Sequence, residues 1–253
     1  MLNNRIIPCL QLIGDSLVKK VKFDKHSYIG DPINTVRIFN ELEVDELCFL
    51  DISATTEKRK PNLKVLKEIA NECFMPLSYG GGIENIQTVH EILSIGFEKI
   101  ILNTSAFENP KLITEIVNQF GSQSLIISID VKKNIFGKYS IYTNCGKVKQ
   151  KGDPLEWSKT VEKLGAGELL ITSMDREGTW QGYDLKILKE IADSVNIPVI
   201  ANGGAGNIDH IIEVFENTEI AAVAVGSMLV YQAKGLGVLV NFPDKKKLEI
   251  WNK

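Results

Sequence analysis

The segment LKVLKEIA at residues 63–70 recurs with one substitution as LKILKEIA at residues 185–192, which lie 122 positions further along the chain. The glycine-rich stretches keep this spacing, because GGGI ends at Ile83 and GGAG begins at Gly203, 122 positions after Gly81. An eight-residue helix can recur by chance, but chance does not also place glycine turns at the same offset. The sequence therefore predicts two homologous halves, about residues 1–122 and 123–253, within a single domain that spans residues 1–253.

Short apolar segments alternate with amphipathic helical segments along the whole chain. The apolar segments are hydrophobic on both faces, as parallel strands covered by helices should be. Eight strand–helix units in 253 residues indicate an α/β protein, a (β/α)8 TIM barrel built from two homologous half-barrels. An open doubly wound sheet is the alternative, and the repeat argues against it. The predicted strands are residues 6–10, 46–51, 76–79, 99–103, 125–130, 168–173, 198–201 and 221–225.

Two long loops interrupt this pattern, at residues 12–30 and 131–153. The first shows strand-like alternation, and the second is predicted to form a small hairpin. Both follow corresponding strands of the two halves, so we expect both at the carboxyl-terminal face of the barrel. Long loops in that position usually cover a substrate.

The bulk composition narrows the class of protein. A net charge of −3 gives no reason to expect nucleic-acid or membrane binding. The four cysteines include no C-x-x-C pair, so neither a zinc site nor a disulfide framework is predicted. The N-terminal sequence has no signal-peptide layout, and no apolar run approaches the length of a membrane span. We expect a cytoplasmic enzyme with no metal and no organic cofactor.

Glycines follow the third and seventh predicted strands, in YGGGIENI and ANGGAGNI. Such turns let backbone N–H groups approach a phosphate without interference from a Cβ atom, and a helix N-terminus then favours the anion. The segments LNTSAFENP and VGSML, after the fourth and eighth strands, add hydroxyls and amides. Tight turns alone would also explain the glycines. The symmetric arrangement favours two phosphate sites, and hence an elongated ligand with a phosphate at each end.

The reactive middle of such a ligand would lie over the barrel axis, where the first and fifth strands place Gln11 and Asp130 at equivalent positions. Two carboxylates could share the roles of general acid and general base, but a glutamine cannot take up a proton. Asp51 and Asp175, assigned to the second and sixth strands, are further carboxylates near this end. Lys19 and Lys20, in the first long loop, could contact a phosphate or could simply be solvated.

Several segments together resemble the cyclase subunit of imidazole glycerol phosphate synthase, along nearly the entire chain. They are RIIPCLQL with VKKVKF, YGGGI, KIILNTSAFENPKLI, SIDVKK, GAGELLITSMDREGTWQGYD and ANGGAG. The resemblance implies a (β/α)8 barrel that receives ammonia from a separate glutaminase subunit, of the HisH type, docked at the amino-terminal face of the barrel. That ammonia would split and cyclise a bisphosphate ribonucleotide of histidine synthesis, in a lyase-type reaction.

The resemblance also implies roles for individual residues. Asp130 matches one of the two catalytic aspartates of the family, and Gln11 stands where the other, the general base, is expected. Lys19 matches the loop lysine of the family. The positions that match phosphate-binding segments are Gly82, Asn103, Thr104, Gly178, Gly204, Gly226 and Ser227. The positions that match a ring of alternating charges, through which ammonia enters the barrel, are Arg5, Glu46, Lys99 and Glu168.

A narrower resemblance rests on YIGDPINTVRIFNELEVDEL, LDISAT and VLVNFP. These segments are similar to cyclase-like paralogues from bacterial surface-polysaccharide (lipopolysaccharide and O-antigen) gene clusters. That resemblance implies a barrel that passes ammonia from a glutaminase to an ATP-dependent sugar amidotransferase, which converts an acetamido group to an acetamidino group. Because Gln11 removes the family base, amidination is the primary hypothesis. The alternative is the histidine-pathway cyclase with an altered base, and a third possibility is a scaffold that only activates a glutaminase.

Overall fold

A computed structural model of the protein describes residues 4–243. Eight parallel strands in this part of the chain form a barrel, which closes where the fifth barrel strand pairs with the sixth. In barrel order these strands are β1 (Arg5–Ile13), β4 (Leu47–Asp51), β5 (Leu77–Gly80), β6 (Lys99–Leu102), β7 (Leu125–Lys133), β10 (Glu168–Ser173), β11 (Val199–Asn202) and β12 (Ala222–Val225). The closed barrel confirms the predicted fold class and excludes the open sheet.

Helices follow the strands and cover the outside of the barrel. They are α1 (Pro32–Glu41), α2 (Leu63–Glu72), α3 (Ile86–Ser94), α4 (Thr104–Glu108), α5 (Lys111–Phe120), α6 (Pro154–Lys163), α7 (Leu185–Ala192), α8 (Ile208–Asn217) and α9 (Ser227–Val230). None of the helices in residues 4–243 is long and apolar enough to cross a membrane.

The starts of corresponding helices show the repeat at the level of single side chains. Asp31 accepts a hydrogen bond from the backbone N–H of Asn34 at 2.8 Å and begins α1. Asp153, 122 positions later, caps α6 by accepting from the backbone N–H of Leu155 at 2.9 Å, and a proline follows each aspartate. Asn85 and Asn207, again 122 positions apart, cap α3 and α8. Capping side chains fix where a helix begins, so corresponding helices of the two halves begin at equivalent positions.

Two sets of apolar side chains alternate along the barrel strands, since successive residues of a strand point to opposite faces. The larger set packs between the barrel and the helices and includes Leu10, Phe49 and Ile127. The smaller set fills the inside of the barrel: Ile7, Cys9, Cys48, Ile101, Ile126, Leu170, Ile200, Ala222 and Ala224. Most of the side chains inside the barrel between its two ends are therefore apolar.

Both long loops form antiparallel extensions at the carboxyl-terminal face. β1 continues to Ile13 and turns into β2 (Ser16–Lys20) and β3 (His26–Gly30), which we call the first hairpin, residues 12–30. β7 continues to Lys133 and turns into β8 (Tyr139–Thr143) and β9 (Val148–Lys149), which we call the second hairpin, residues 131–153. These extensions make the first and fifth barrel strands longer than predicted.

Each hairpin reaches across to the other half of the barrel. The backbone N–H of Lys22 in the first hairpin donates to the carbonyl of Glu177 at 2.9 Å. In the second hairpin, the N–H of Asn144 donates to the hydroxyl oxygen of Thr104 at 2.9 Å, and the Cys145 thiol contacts the carbonyl oxygen of Ile52 at 3.0 Å. The hairpins therefore cover the strand ends of opposite halves.

Candidate active site

A cavity of about 140 Å³ opens at the carboxyl ends of the barrel strands, beneath the two hairpins. Catalytic sites of (β/α)8 enzymes lie at this face. The cavity is lined by residues from both halves, and its lining includes six of the residues predicted from the sequence to be functional or nearby carboxylates. They are Gln11, Asp51, Gly82, Asn103, Thr104 and Asp130.

Asp130 is a buried carboxyl group on β7 that faces this cavity, and it is 8% exposed. Burial raises its pKa to about 7; a hydrogen bond with Thr172 opposes this shift, and the negative charge of Glu177 adds to it. Thr172 is the direct partner of Asp130 in the pairing of β7 with β10, and its hydroxyl oxygen accepts from the Asn202 amide at 3.1 Å. A carboxyl group with this pKa can either donate or accept a proton near neutral pH.

Gln11 lies on β1 with both ends of its side-chain amide bonded. Its oxygen accepts from the backbone N–H of Lys20 at 2.9 Å, and its nitrogen donates to the Glu177 carboxylate at 3.1 Å. Gln11 is 9% exposed. The two bonds fix the orientation of the amide. Gln11 therefore holds neighbouring groups in place, but its amide cannot act as a general base.

Glu177 is the residue of this site that the sequence interpretation missed. It follows β10 in the segment MDREGT, lines the cavity and is 4% exposed. The Lys19 ammonium forms an ion pair with the same carboxylate oxygen that accepts from Gln11. Nothing in the local sequence distinguishes Glu177 from a solvated turn acid. Its neighbours, Gln11 on β1 and Lys19 in the first hairpin, lie more than 150 positions away along the chain.

The first predicted phosphate segment faces the cavity, but its polar groups already have partners. The backbone N–H of Gly82 donates to the hydroxyl oxygen of Thr55 at 3.3 Å, and the Asn103 amide donates to the carbonyl of Ser128 at 3.2 Å. Gly82 adopts a positive φ of 67°, and a Cβ atom there would lie 2.5 Å from the carbonyl oxygen of Arg59. Glycine is thus required by the turn. The Thr55 hydroxyl faces the cavity on this side, whereas the Thr104 hydroxyl donates to the side-chain oxygen of Asn103 at 3.4 Å.

The second predicted phosphate segment does not line the cavity. Gly178, Gly204, Gly226 and Ser227 are all absent from its walls, and so is Lys19. The first hairpin packs against this side: a Cβ atom on Gly178 would meet the carbonyl oxygen of Lys20 at 2.7 Å, and one on Gly226 would meet the Lys19 ammonium at 2.5 Å. Phosphate binding by this segment stays a prediction.

The two further aspartates have structural partners. The Asp51 carboxylate accepts from Arg59 at 3.0 and 3.2 Å and from the backbone N–H groups of Ser53 and Ala54. Asp175 lies beyond the end of β10 rather than on it, and it accepts from the backbone N–H of Lys133 at 2.8 Å. The assignment of Asp175 to a strand was wrong, because the strand ends at Ser173 and the chain then turns.

The four predicted ring residues meet at the opposite, amino-terminal end of the barrel. Arg5 donates to Glu46 at 2.5 Å and to Glu168 at 2.9 Å, while Lys99 donates to the same two carboxylates at 3.3 and 2.7 Å. Burial alone would raise the pKa of Glu168, but the hydrogen bonds and charges of Arg5 and Lys99 outweigh it and lower the pKa. The structure therefore brings all four together as a closed ring of alternating charge.

Comparison with known proteins places these features in a family. Residues 5–234 match the family model described as histidine biosynthesis protein. The chain belongs to this family. A Pseudomonas aeruginosa protein named "Putative imidazole glycerol phosphate synthase subunit hisF2" is 46% identical over 250 residues, which cover 99% of this chain and 100% of that protein.

Two further family members show similar identity. The protein of Bacillus cereus named "Imidazole glycerol phosphate synthase subunit HisF" is 46% identical over 231 residues, covering 91% of this chain and 92% of that protein. A Leptospira borgpetersenii protein, "Putative imidazole glycerol phosphate synthase subunit HisF", is 46% identical over 246 residues, or 96% of each chain. The resemblance to HisF-type cyclases is confirmed. These names give no support to the narrower resemblance to polysaccharide-cluster paralogues.

Proposed function

We propose that this chain is the ring-forming barrel subunit of an imidazole glycerol phosphate synthase. The observation that carries the proposal is Asp130, a buried carboxyl group with a pKa of about 7, placed in a cavity at the catalytic face beside a second acid, Glu177. Such a pair can hold one proton between two groups and supply acid and base in one cycle. The names of the Pseudomonas aeruginosa and Bacillus cereus relatives favour the same activity.

The substrate that fits this proposal is a bisphosphate ribonucleotide, bound with one phosphate near Gly82, Asn103 and Thr104. The Thr55 hydroxyl accepts from the backbone N–H of Gly82 and can donate to a phosphate oxygen, and the Thr104 hydroxyl could do so by leaving its bond to Asn103. The second phosphate would bind beside Gly204, Gly226 and Ser227 once the first hairpin moves. In this arrangement the reacting atoms lie between the two ends, next to Asp130.

We infer that ammonia reaches the cavity through the barrel. The ring of Arg5, Glu46, Lys99 and Glu168 surrounds the amino-terminal entrance, and the apolar interior separates this ring from the cavity. An apolar interior admits neutral ammonia much more readily than the ammonium ion, because burying an unpaired charge is very costly. A glutaminase subunit docked over the ring, in the cytoplasm, would supply that ammonia.

Gln11 favours a second candidate, amidination of a surface-polysaccharide sugar. A site without a carboxylate at this position has lost the base that the resemblance implies, and it could serve to pass on ammonia without ring closure. Such a barrel would work with both a glutaminase and an ATP-dependent sugar amidotransferase. Glu177 weakens this argument, because it places a different carboxylate against Gln11.

The test is turnover of the bisphosphate ribonucleotide by the purified protein with ammonium salt as nitrogen source. We expect formation of imidazole glycerol phosphate, and a loss of about 10²-fold or more in Asp130→Asn, because general acid–base catalysis contributes that much. Glu156→Gln, an exposed change on α6, is the matched control and should leave the rate unchanged. Absence of turnover by the unmodified protein would overturn the proposal and favour amidination.

A further inference from the structure

The Glu177 carboxylate is held in an asymmetric way. Its Oε1 atom takes the hydrogen bond from Gln11 and the ion pair from Lys19. Its Oε2 atom receives no hydrogen-bond donor from any of the residues 4–243 and is not among their fully enclosed, unpartnered polar atoms. Glu177 lines the cavity. One oxygen is therefore fixed by the protein, and the other keeps its lone pairs for a ligand.

We propose that Glu177 is a catalytic residue of this site, the ionised carboxylate that works opposite Asp130, and that Gln11 is the residue that positions it. The inference deepens the proposed function and rests on it for the identity of the substrate. It also explains Gln11: the position does not need a carboxylate of its own, because the carboxylate is supplied from the loop after β10.

The choice of glutamine at position 11 follows from hydrogen-bond chemistry. A carboxylate only accepts hydrogen bonds when ionised, so the side chain that contacts Glu177 must donate. Gln11 donates through its amide nitrogen and still accepts from Lys20. An acid at position 11 would place two carboxylates against one another, and one of them would have to bind a proton. An amide and a carboxylate keep a single negative charge next to Asp130.

Lys19 links this carboxylate to phosphate binding. Its ammonium lies against Gly226, within the second predicted phosphate segment, while it pairs with Glu177. A ligand phosphate at Gly226 would compete for this ammonium and leave Glu177 with Gln11 alone. Ligand binding would then free the lone pairs of Oε1 that the Lys19 ammonium occupies. Over one turnover Glu177 accepts a proton from the substrate and Asp130 donates one, and exchange between the two groups through water restores the starting state.

The sharpest experiment exchanges the two side chains. Gln11→Glu and Glu177→Gln are each isosteric and change the charge by one unit, in opposite directions. We expect each single variant to lower kcat by about 10²-fold, the size typical of a lost acid or base. We expect the double variant Gln11→Glu/Glu177→Gln to recover to within about tenfold of the original enzyme, because it again contains one amide and one carboxylate in contact.

The pH profile separates a catalytic from a structural role. Gln11→Glu should move the limb of kcat that reports the base to higher pH, since a like charge raises the pKa of a carboxyl pair. Glu177→Gln should lose that limb while KM changes less than kcat. Full activity of Glu177→Gln with an unchanged profile would overturn the inference, as would a double variant no better than the worse single variant.

A second measurement does not depend on turnover. Titration of the Asp130 side-chain carbon by NMR should show a lower pKa in Glu177→Gln than in the original protein, because a neighbouring negative charge has been removed. Asp175→Asn is the control and should leave this titration unchanged. If the original protein fails to convert the ribonucleotide, the proposed function is wrong. The titration still shows whether the charge of Glu177 acts on Asp130. An unchanged Asp130 titration in Glu177→Gln would overturn the pair.

Discussion

At the scale of single residues, burial governs the candidate site. The Asp130 carboxyl group is buried away from water. Its hydrogen bond with Thr172 replaces only part of the stabilisation that water would give to the ionised form. The folded protein therefore binds a proton on Asp130 over a range of pH in which the unfolded chain does not. This proton makes Asp130 available as an acid near neutral pH. Ionisation of the buried carboxyl group lowers the stability of the folded protein, and this effect can be measured.

We predict that Asp130→Asn stabilises the protein at pH 8 and changes its stability less at pH 5. The pKa of Asp130 is raised to about 7 in the folded state, so stability falls as pH rises from about 4 to 7, where the folded state binds more protons than the unfolded state. The full difference is up to roughly 4 kcal/mol above pH 7, since one pKa unit corresponds to about 1.4 kcal/mol.

Urea unfolding of both proteins at the two pH values measures this effect. Glu156→Gln serves as control, because its exposed side chain should give the same difference from the original protein at both pH values. A stability gain of Asp130→Asn that does not depend on pH would show that packing, and not the charge of a buried carboxylate, causes it.

Sequence periodicity located Asp130 and Gln11 at equivalent strand ends, and both do face the cavity. It could not find Glu177, because that residue acquires its role only through contacts with Gln11 and Lys19. Asp51 shows the converse. Its position at a strand end suggested chemistry, but Arg59 and two backbone N–H groups occupy its oxygens. Position along a strand predicts where a side chain points, whereas its free lone pairs depend on tertiary contacts.

At the scale of elements, the strands and helices of the barrel were predictable because each carries a local signal. Buried strands are apolar on both faces, and Asp31 and Asp153 mark two helix starts. The hairpins were only partly predictable. Strand-like alternation was recognised in residues 12–30, but the sequence does not show that the hairpin docks on the opposite half. That docking depends on contacts of Lys19 and Lys22 with Glu177, which lies more than 150 positions further along the chain.

We predict that Lys19→Met loosens the first hairpin. The substitution leaves Glu177 as a buried carboxylate without its cation, and an uncompensated buried charge costs several kcal/mol. Opening of the hairpin relieves that cost by hydrating Glu177. Hydrogen exchange should therefore become faster at the amides of residues 16–22 by about tenfold or more, while the barrel strands keep their protection.

The double variant Lys19→Met/Glu177→Gln tests the cause, because it removes both charges together. We expect its exchange rates in residues 16–22 to be closer to those of the original protein than to those of Lys19→Met. Equally fast exchange in the two variants would show that packing of the aliphatic part of the Lys19 side chain stabilises the hairpin, and that the ion pair with Glu177 does not.

At the scale of the whole molecule, the two ends of the barrel carry different chemistry. The amino-terminal end holds a ring of four charges, the carboxyl-terminal end holds the cavity with Asp130, and apolar side chains such as Ile7 and Ile101 separate them. Parallel strands all start at one end and finish at the other, so the barrel itself determines this polarity. The division into half-barrels at about residue 122 stays a prediction, although paired helix caps are consistent with it.

The ring of four charges at the amino-terminal end should affect how efficiently ammonia reaches the cavity at the other end. Lys99 donates to Glu46 at 3.3 Å and to Glu168 at 2.7 Å, so Lys99→Ala opens one side of the ring while Arg5 still pairs with both carboxylates. If ammonia enters there, water and escaping ammonia gain a path past the ring. In a complex with a glutaminase, we expect less ring-closed product per glutamine hydrolysed, whereas the rate with added ammonium salt stays within about twofold of the original because Asp130 is untouched.

Lys159→Ala, which removes an exposed ammonium from α6, is the matched control and should leave the ratio unchanged. Complex formation is measured first, by sedimentation, so that a loss of docking is not mistaken for a leak. An unchanged ratio in an intact complex would mean that ammonia reaches Asp130 by another route, and the ring would then serve only to hold the strand starts together.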